Sequence, residues 1–293
     1  MTLSTETHTQ SAETDSGLSI DTDTLVRVGS HAILIIASLI AITPFVWAFM
    51  TSLKQPDAIF TTVSQLVPAN PTVENYVTVW VENPFDRWVF NSLILTVGAV
   101  FVTLLLDSLA GYALAKGNFV GRSLVFTAVL GTLVIPPQVV MVPLYIEMQW
   151  LDWHNTYWAM MALYVANPFG TYLMRQFFLG IPDDLLEAAR MDGCSTIQIY
   201  TRIMLPMAKP ALSSLAIFTF VFTWGGFLWP LVITNETAMF PLQVGIGLLS
   251  GPYTQQWGPL LAASLLAAFP VLMAYLLAQR SFMEGITLSG RKG

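Results

Sequence analysis

Few side chains in this sequence could do chemistry. The histidines, His8, His31 and His154, are scattered, with neither an HExxH run nor any paired-ligand spacing, and the one cysteine, Cys194, has no second thiol for a disulfide or a thiolate zinc site. A metal site is therefore not expected. A Walker A loop ends in Gly-Lys-Ser/Thr, whereas Lys54, Lys116, Lys209 and Lys292 are followed by Gln, Gly, Pro and Gly, so nucleotide hydrolysis is not expected here. No nucleophile motif or pair of buried carboxylates suggests an intramembrane enzyme. Asp107 is the clearest ionisable residue within an apolar run, a costly placement that marks a functional candidate. With no second buried acid or histidine to pass a proton onward, a structural or cavity-lining carboxylate is the expectation. Trp224, Phe227, Trp229 and Phe240 cluster in sequence, and aromatic faces can stack on sugar rings. Trp224 and Phe227 are thus candidates for a translocation pathway, against the plainer reading of helix packing and lipid anchoring.

The elements that must position these groups belong to a membrane protein. The 293 residues are 55% hydrophobic and 10% charged, with a mean hydropathy of +0.63, whereas soluble chains carry about a quarter charged residues. A net charge of −6 argues against a nucleic-acid partner, which requires a basic face. Residues 1–24 are acidic, lack Lys and Arg, and are expected to form a disordered cytoplasmic tail. They lead into an apolar run without the basic start and short core of a cleaved signal, so that run is expected to be retained.

Spanning a bilayer takes about 20 mostly apolar helical residues. Six segments qualify, at 28–50, 89–115, 123–146, 157–178, 209–234 and 259–279, giving an all-α integral membrane protein with a six-helix transmembrane domain over 25–282 and a cytoplasmic C-terminal tail over 283–293. Pro44, Pro136, Pro137, Pro143, Pro168 and Pro270 are expected to kink or end helices. Placing the N-terminus inside puts all 12 Lys and Arg except Lys54 and Arg87 on the inner side, as the positive-inside rule requires. Both termini are then cytoplasmic. Trp80, Trp88, Trp150, Trp153 and Trp257 fall on the outer side and are expected to form an interfacial belt. The outer segment 52–88 suits a lid or docking surface.

The inner loop 179–208 is longer than a helix connection needs, and it is patterned. Asp184 with Glu187 has capping-box spacing, Gly193 can supply a left-handed stop, Ser195 with Gln198 is a second capping box, and Pro206 is expected to close the second helix. Leu185, Leu186, Ala189, Ile197, Tyr200 and Ile203 would sit in water unless they pack on membrane helix ends or on another protein.

Glu187-Ala188-Ala189, then Asp192-Gly193, then Ile203 and Leu205-Pro206, resembles the EAA loop of permease subunits in binding-protein-dependent ABC importers. Thr51 to Lys54, Asn75-Tyr76, Asn91-Ser92, Gly111 to Ala115, Phe119 to Arg122 and Pro143 to Tyr145 resemble the carbohydrate-uptake branch. The end of the chain is similar to the shorter maltose-type permease, whose terminus reaches into the ATPase dimer. The resemblance implies a coupling role for Glu187, Ala188, Ala189, Asp192, Gly193, Ile203, Leu205 and Pro206, and ATPase contact by Thr287, Lys292 and Gly293. It implies a second permease, two ATPase subunits holding ATP and Mg, an extracytoplasmic solute-binding protein, and no cofactor in this chain. Gly225 departs from the family's usual Asn after Trp224. An ion-coupled secondary transporter is the alternative, although beyond Asp107 few ion ligands are available.

Overall fold

The computed structural model describes residues 22–56, 58–61, 66–165, 167–251 and 256–289, with the side chains of 22–25, 60–61 and 277–289 excepted. Most of the acidic tail, together with Lys292 and Gly293, lies outside the described residues, as does the side chain of Thr287. The described residues are almost wholly helical: α1 (Thr22–Ser52), α2 (Ala58–Thr61), α3 (Glu74–Val81), α4 (Phe85–Lys116), α5 (Arg122–Thr132), α6 (Pro137–Trp150), α7 (Tyr157–Val165), α8 (Pro168–Leu179) and α9 (Asp183–Met191). Then come α10 (Thr196–Ile199), a π turn (Tyr200–Met204), α11 (Leu205–Met207), α12 (Lys209–Trp224), α13 (Leu228–Ile233), a 3-10 turn (Thr237–Met239), α14 (Leu242–Leu248) and α15 (Trp257–Ser289).

The chain divides into two units, 1–47 and 48–293. The first contributes most of α1, which is apolar and contains Pro44. The second is organised around α4, whose 32 residues run for roughly 48 Å, more than a bilayer core needs. It packs against α3, α7, α8, α12 and α14. Glycine allows the closest of these approaches. A Cβ at Gly111 would lie 2.6 Å from Met174 Cβ and 2.8 Å from the Arg175 backbone nitrogen, so α4 and α8 touch nearly main chain to main chain.

Three helices, α1, α4 and α15, have apolar stretches long enough to cross a membrane. The expected 123–146 span is instead two helices, α5 and α6, bent by 102° at a break holding Pro136 and Pro137. Pro136 starts α6 as its extended N-cap, and Pro137 enters at a position that needs no N–H. The 157–178 span is divided into α7 and α8, with Asn167 capping α8 ahead of Pro168. The 209–234 span is interrupted at 225–227 between α12 and α13. Pro44, Pro143 and Pro270 lie inside helices.

Trp88 corrects the interfacial-belt expectation. It is 1% exposed, and a Cβ on Gly245 of α14 would fall 2.1 Å from its ring. Its place one turn into α4, facing α14, turns the indole inward; Trp80 and Trp150 are exposed.

Candidate functional site

The inner loop folds as a short two-helix knob. Gly193 adopts φ 83°, and two hydrogen bonds close the end of α9: Gly193 N–H to Arg190 O at 3.0 Å and Cys194 N–H to Ala189 O at 2.9 Å. This 6→1, 5→2 pair is a Schellman stop, and only a residue without Cβ adopts its left-handed position freely. The Ser195–Gln198 box is complete: Ser195 N–H donates to Gln198 Oε1 at 2.7 Å, and Gln198 N–H to Ser195 Oγ at 3.3 Å.

The Asp184–Glu187 box does not form. Pro182 is the N-cap and makes no side-chain cap bond. The helix starts two residues early, with Asp183 as its first residue, and Asp183 is tied to α4: Lys116 Nζ donates to Asp183 Oδ1 at 2.6 Å and to Ile181 O at 2.7 Å. That ammonium, hydrogen-bonded to the carboxylate, holds Asp183 below the usual carboxylate range. Pro206 also departs from expectation, because helix runs through it to Met207 and the direction changes by 76° at Ala208. The preceding π turn shifts the register, so Pro206 is accommodated where it would otherwise break an α ladder.

The knob has two faces. Leu186, Ala189, Ile199, Tyr200 and Met204 are buried with Tyr112, Ala115 and Phe178 in one apolar cluster on α4 and α8. Tyr200 Oη hydrogen-bonds to Ser108 Oγ at 2.7 Å, fixing the knob to α4 a second time. On the other face Leu185 is 44% exposed, Met191 88% and Ile197 75%, beside exposed Glu187, Ala188, Asp192 and Gly193. Ile203 and Leu205 are half-buried and Pro206 is exposed. The coupling candidates are thus brought together on one braced element with an uncovered apolar face.

The pathway candidates lie apart from it. Asp107 is 3% exposed and accepts a hydrogen bond from Thr171 Oγ1 at 2.8 Å. Gly170 presses against its second oxygen, which has no hydrogen-bond partner among the described residues. Trp224 is 2% exposed, donates its indole N–H to Ala267 O at 2.9 Å and stacks on Phe220. Phe227 is 42% exposed. Trp224 is therefore engaged in packing α12 on α15.

Sequence reasoning missed a cavity of about 520 Å³, lined by residues that include Pro137, Tyr164, Asn167, Phe169, Phe218 and Thr219. The Asn167-Pro168 pair, a cap followed by proline, was the available signal for a helix start. It also missed why the short motifs recur together. Asn75 Nδ2 donates to Ser52 O and Lys54 O at 2.7 and 2.8 Å, closing the end of α1. Asn91 Nδ2 donates to Ala238 O and Phe240 O at 2.8 and 3.0 Å, and Ser92 Oγ accepts from Leu242 N–H at 2.7 Å. These side chains clamp the segment between α13 and α14 onto α4.

Interrupted apolar helices and a rigid polar-tethered knob define an integral-membrane transport subunit. The sequence pattern described as "Binding-protein-dependent transport system inner membrane component" matches residues 107–281, and the chain belongs to that family. It is 37% identical over 227 residues to the arabinooligosaccharides transport system permease protein AraQ of Halalkalibacterium halodurans, covering 77% of this chain and 81% of that protein. It is 32% identical over 269 residues to the sn-glycerol-3-phosphate transport system permease protein UgpE of Salmonella typhi, covering 89% and 96%. A chain in the crystal structure of a bacterial ABC transporter that imports the acidic polysaccharide alginate superposes with a TM-score of 0.77 at 25% identity, over 91% of this chain and all of that one. These relationships favour a binding-protein-dependent ABC permease over the ion-coupled alternative.

Proposed function

We propose that this chain is one of two permease subunits of an ABC importer for a sugar or sugar-like solute, driven through the 183–207 knob by separate ATPase subunits that bind ATP and Mg. The braced two-faced knob carries the reading. Its inner face is packed on α4 and α8 and tethered by Lys116, so it can transmit force to the spans, while Leu185, Met191 and Ile197 offer an apolar surface to a partner. Closure of an ATP-bound ATPase dimer on that surface would turn the permease pair outward, and hydrolysis would reset it inward. The solutes named for its relatives, arabinooligosaccharides, glycerol phosphate and alginate, support the sugar-like class.

Six crossings fit this role when α5–α6, α7–α8 and α12–α13 each count as one interrupted span beside α1, α4 and α15. The distribution of Lys and Arg supports cytoplasmic termini. The solute-binding protein would dock on the opposite side, and Thr287, Lys292 and Gly293 would extend toward the ATPases. Glu187→Arg tests the coupling assignment, because an exposed side chain can be changed without unfolding the knob. Uptake and solute-stimulated ATP hydrolysis by the intact complex should fall at least tenfold at unchanged yield. Unchanged activity would show that the knob does not couple.

A further inference from the structure

Three successive turns of α4 grip both sides of the break between α7 and α8. Thr103 Oγ1 donates to Tyr164 O, near the end of α7, at 3.1 Å. One turn on, Asp107 Oδ1 accepts from Thr171 Oγ1, near the start of α8, at 2.8 Å, and its second oxygen presses on Gly170. One turn further, Gly111 lets α4 close on Met174 and the Arg175 main chain. Residues 103, 107 and 111 recur every fourth place and so share one face of α4.

The neighbouring face of α4 holds the knob at the same level. Ser108 lies about 100° round the helix from Asp107, and its Oγ is 2.7 Å from Tyr200 Oη. Tyr112, one turn on from Ser108, has its ring 5.3 Å from that of Tyr200 and meets Phe178 of α8 edge to face at 5.9 Å. A load placed on the knob therefore enters at Ser108 and Tyr112, directly beside the grip on α8. A helix break under load acts as a hinge unless something spans it. Asp107 and Thr103 do span it, because each holds one half of the interrupted segment to the continuous rod of α4.

A carboxyl group in a membrane span is expensive and calls for a role. Asp107 does not line the 520 Å³ cavity, so contact with a solute there does not account for it. It is a strong acceptor facing the start of α8, where main-chain N–H groups lack helical partners. Resting on the reading of the knob as the ATPase contact, we infer that Asp107 is a positioning residue of the transport cycle, a splint that with Thr171 keeps the α7–α8 break from flexing when the knob is moved. Without it α8 swings with the knob and α7 stays behind.

The test measures the distance between spin labels on Trp158→Cys in α7 and Gln176→Cys in α8, both exposed, by pulsed electron resonance. It uses the intact complex purified through this chain, with Cys194→Ser as background and the companion subunits free of cysteine, without nucleotide and then trapped with Mg, ATP and vanadate. In the labelled wild type the distance should change by less than about 2 Å on trapping, because the two halves move as one body. Thr171→Val should leave the nucleotide-free distance unaltered but shift or broaden the trapped one by at least about 4 Å, and Thr171→Ser should restore the wild-type result. Adding Tyr200→Phe to Thr171→Val should at least halve that shift, since the knob then delivers less load. A wild-type shift above about 4 Å would show that the break is a hinge and overturn the splint. Trapped distances in Thr171→Val equal to wild type would overturn the role of the Asp107–Thr171 pair, and a nucleotide-free distance already altered by Thr171→Val would make the pair a packing contact only. ATP hydrolysis is followed in parallel. Its absence from the wild-type complex would remove the importer reading and the splint with it, whereas hydrolysis with any of the contrary distances would overturn the splint alone.

Discussion

Replacing Gly111 with alanine inserts one methyl group where α4 and α8 are nearly in main-chain contact. The new Cβ would be 2.6 Å from Met174 Cβ and 2.8 Å from Arg175 N, against an ordinary contact of 3.4–4 Å. The helices must therefore separate by roughly 1 Å, because a backbone nitrogen cannot rotate away as a side-chain end can. Overpacking of this kind costs about 1–3 kcal/mol, and a rigid backbone neighbour places it near the top of that range. At about 2–4 °C per kcal/mol, the apparent unfolding midpoint should fall by roughly 6–12 °C. The assay is thermal unfolding of the detergent-solubilised complex, read by thiol-reactive dye or by loss of the monodisperse chromatographic peak. Gly131→Ala in α5 is the control, since nothing lies within 4 Å of its added methyl; it should show no fall. A Gly111→Ala midpoint within 1 °C of wild type would refute the close-approach argument.

Ser195→Ala removes the cap of α10 and should cost about 1 kcal/mol locally, seen as faster amide exchange over 196–207. Asn91→Leu loses two bonds to main-chain carbonyls, each contributing about 0.5–1.5 kcal/mol, and should speed proteolysis between α13 and α14 while leaving the knob protected. Gly226→Ala should destabilise by collision with the Tyr164 hydroxyl, and the double variant with Tyr164→Phe should recover part of the loss in a thermal-shift cycle. Asp183 has its folded pKa lowered by Lys116, so the tether's contribution is present above the ordinary carboxylate pKa and is lost as pH falls through the lower folded value. Amide protection over 183–191, taken relative to the intrinsic exchange rate at each pH, should therefore match at pH 8 and pH 5, and Asp183→Asn should lower it at both.

The second half of the knob was legible because its determinants are local. Gly193, Ser195 and Gln198 act within a few residues of one another, and their types match the backbone groups they satisfy. The first cap was misread because the start of α9 is set from outside it: Pro182 takes the N-cap position ahead of Asp184, and Asp183 is tied to Lys116, 67 residues earlier in the chain. Asn91 was visible as part of a recurring motif, but its partners, Ala238 O and Phe240 O, are main-chain atoms that no residue identity reveals. The α5–α6 bend was half legible: Pro136-Pro137 marks a break, while its 102° angle comes from packing that hydropathy does not encode. The cavity escaped notice because its lining comes from two helix starts, at Pro137 and at Asn167-Pro168, and from the end of α7 and the second half of α12, segments far apart in the sequence. Trp224 drew attention as an aromatic, yet its neighbours on α15 decide that its face is occupied.

The π turn at Tyr200–Met204 has a consequence for the chain's tolerance to insertions and deletions. A π turn is an α-helix carrying one surplus residue, and each residue advances an α-helix by about 100°. Deleting Thr201 should therefore restore a continuous α-helix with α10 and α11 facing almost as before, because the five-residue π turn and the four α residues that replace it both sweep little more than one full turn. A one-residue insertion at the same place has no such slack, and would turn Ile199 and Tyr200 away from α4 and α8 and carry Leu185, Met191 and Ile197 with them. This stretch of the chain thus absorbs the loss of a residue but not a further gain.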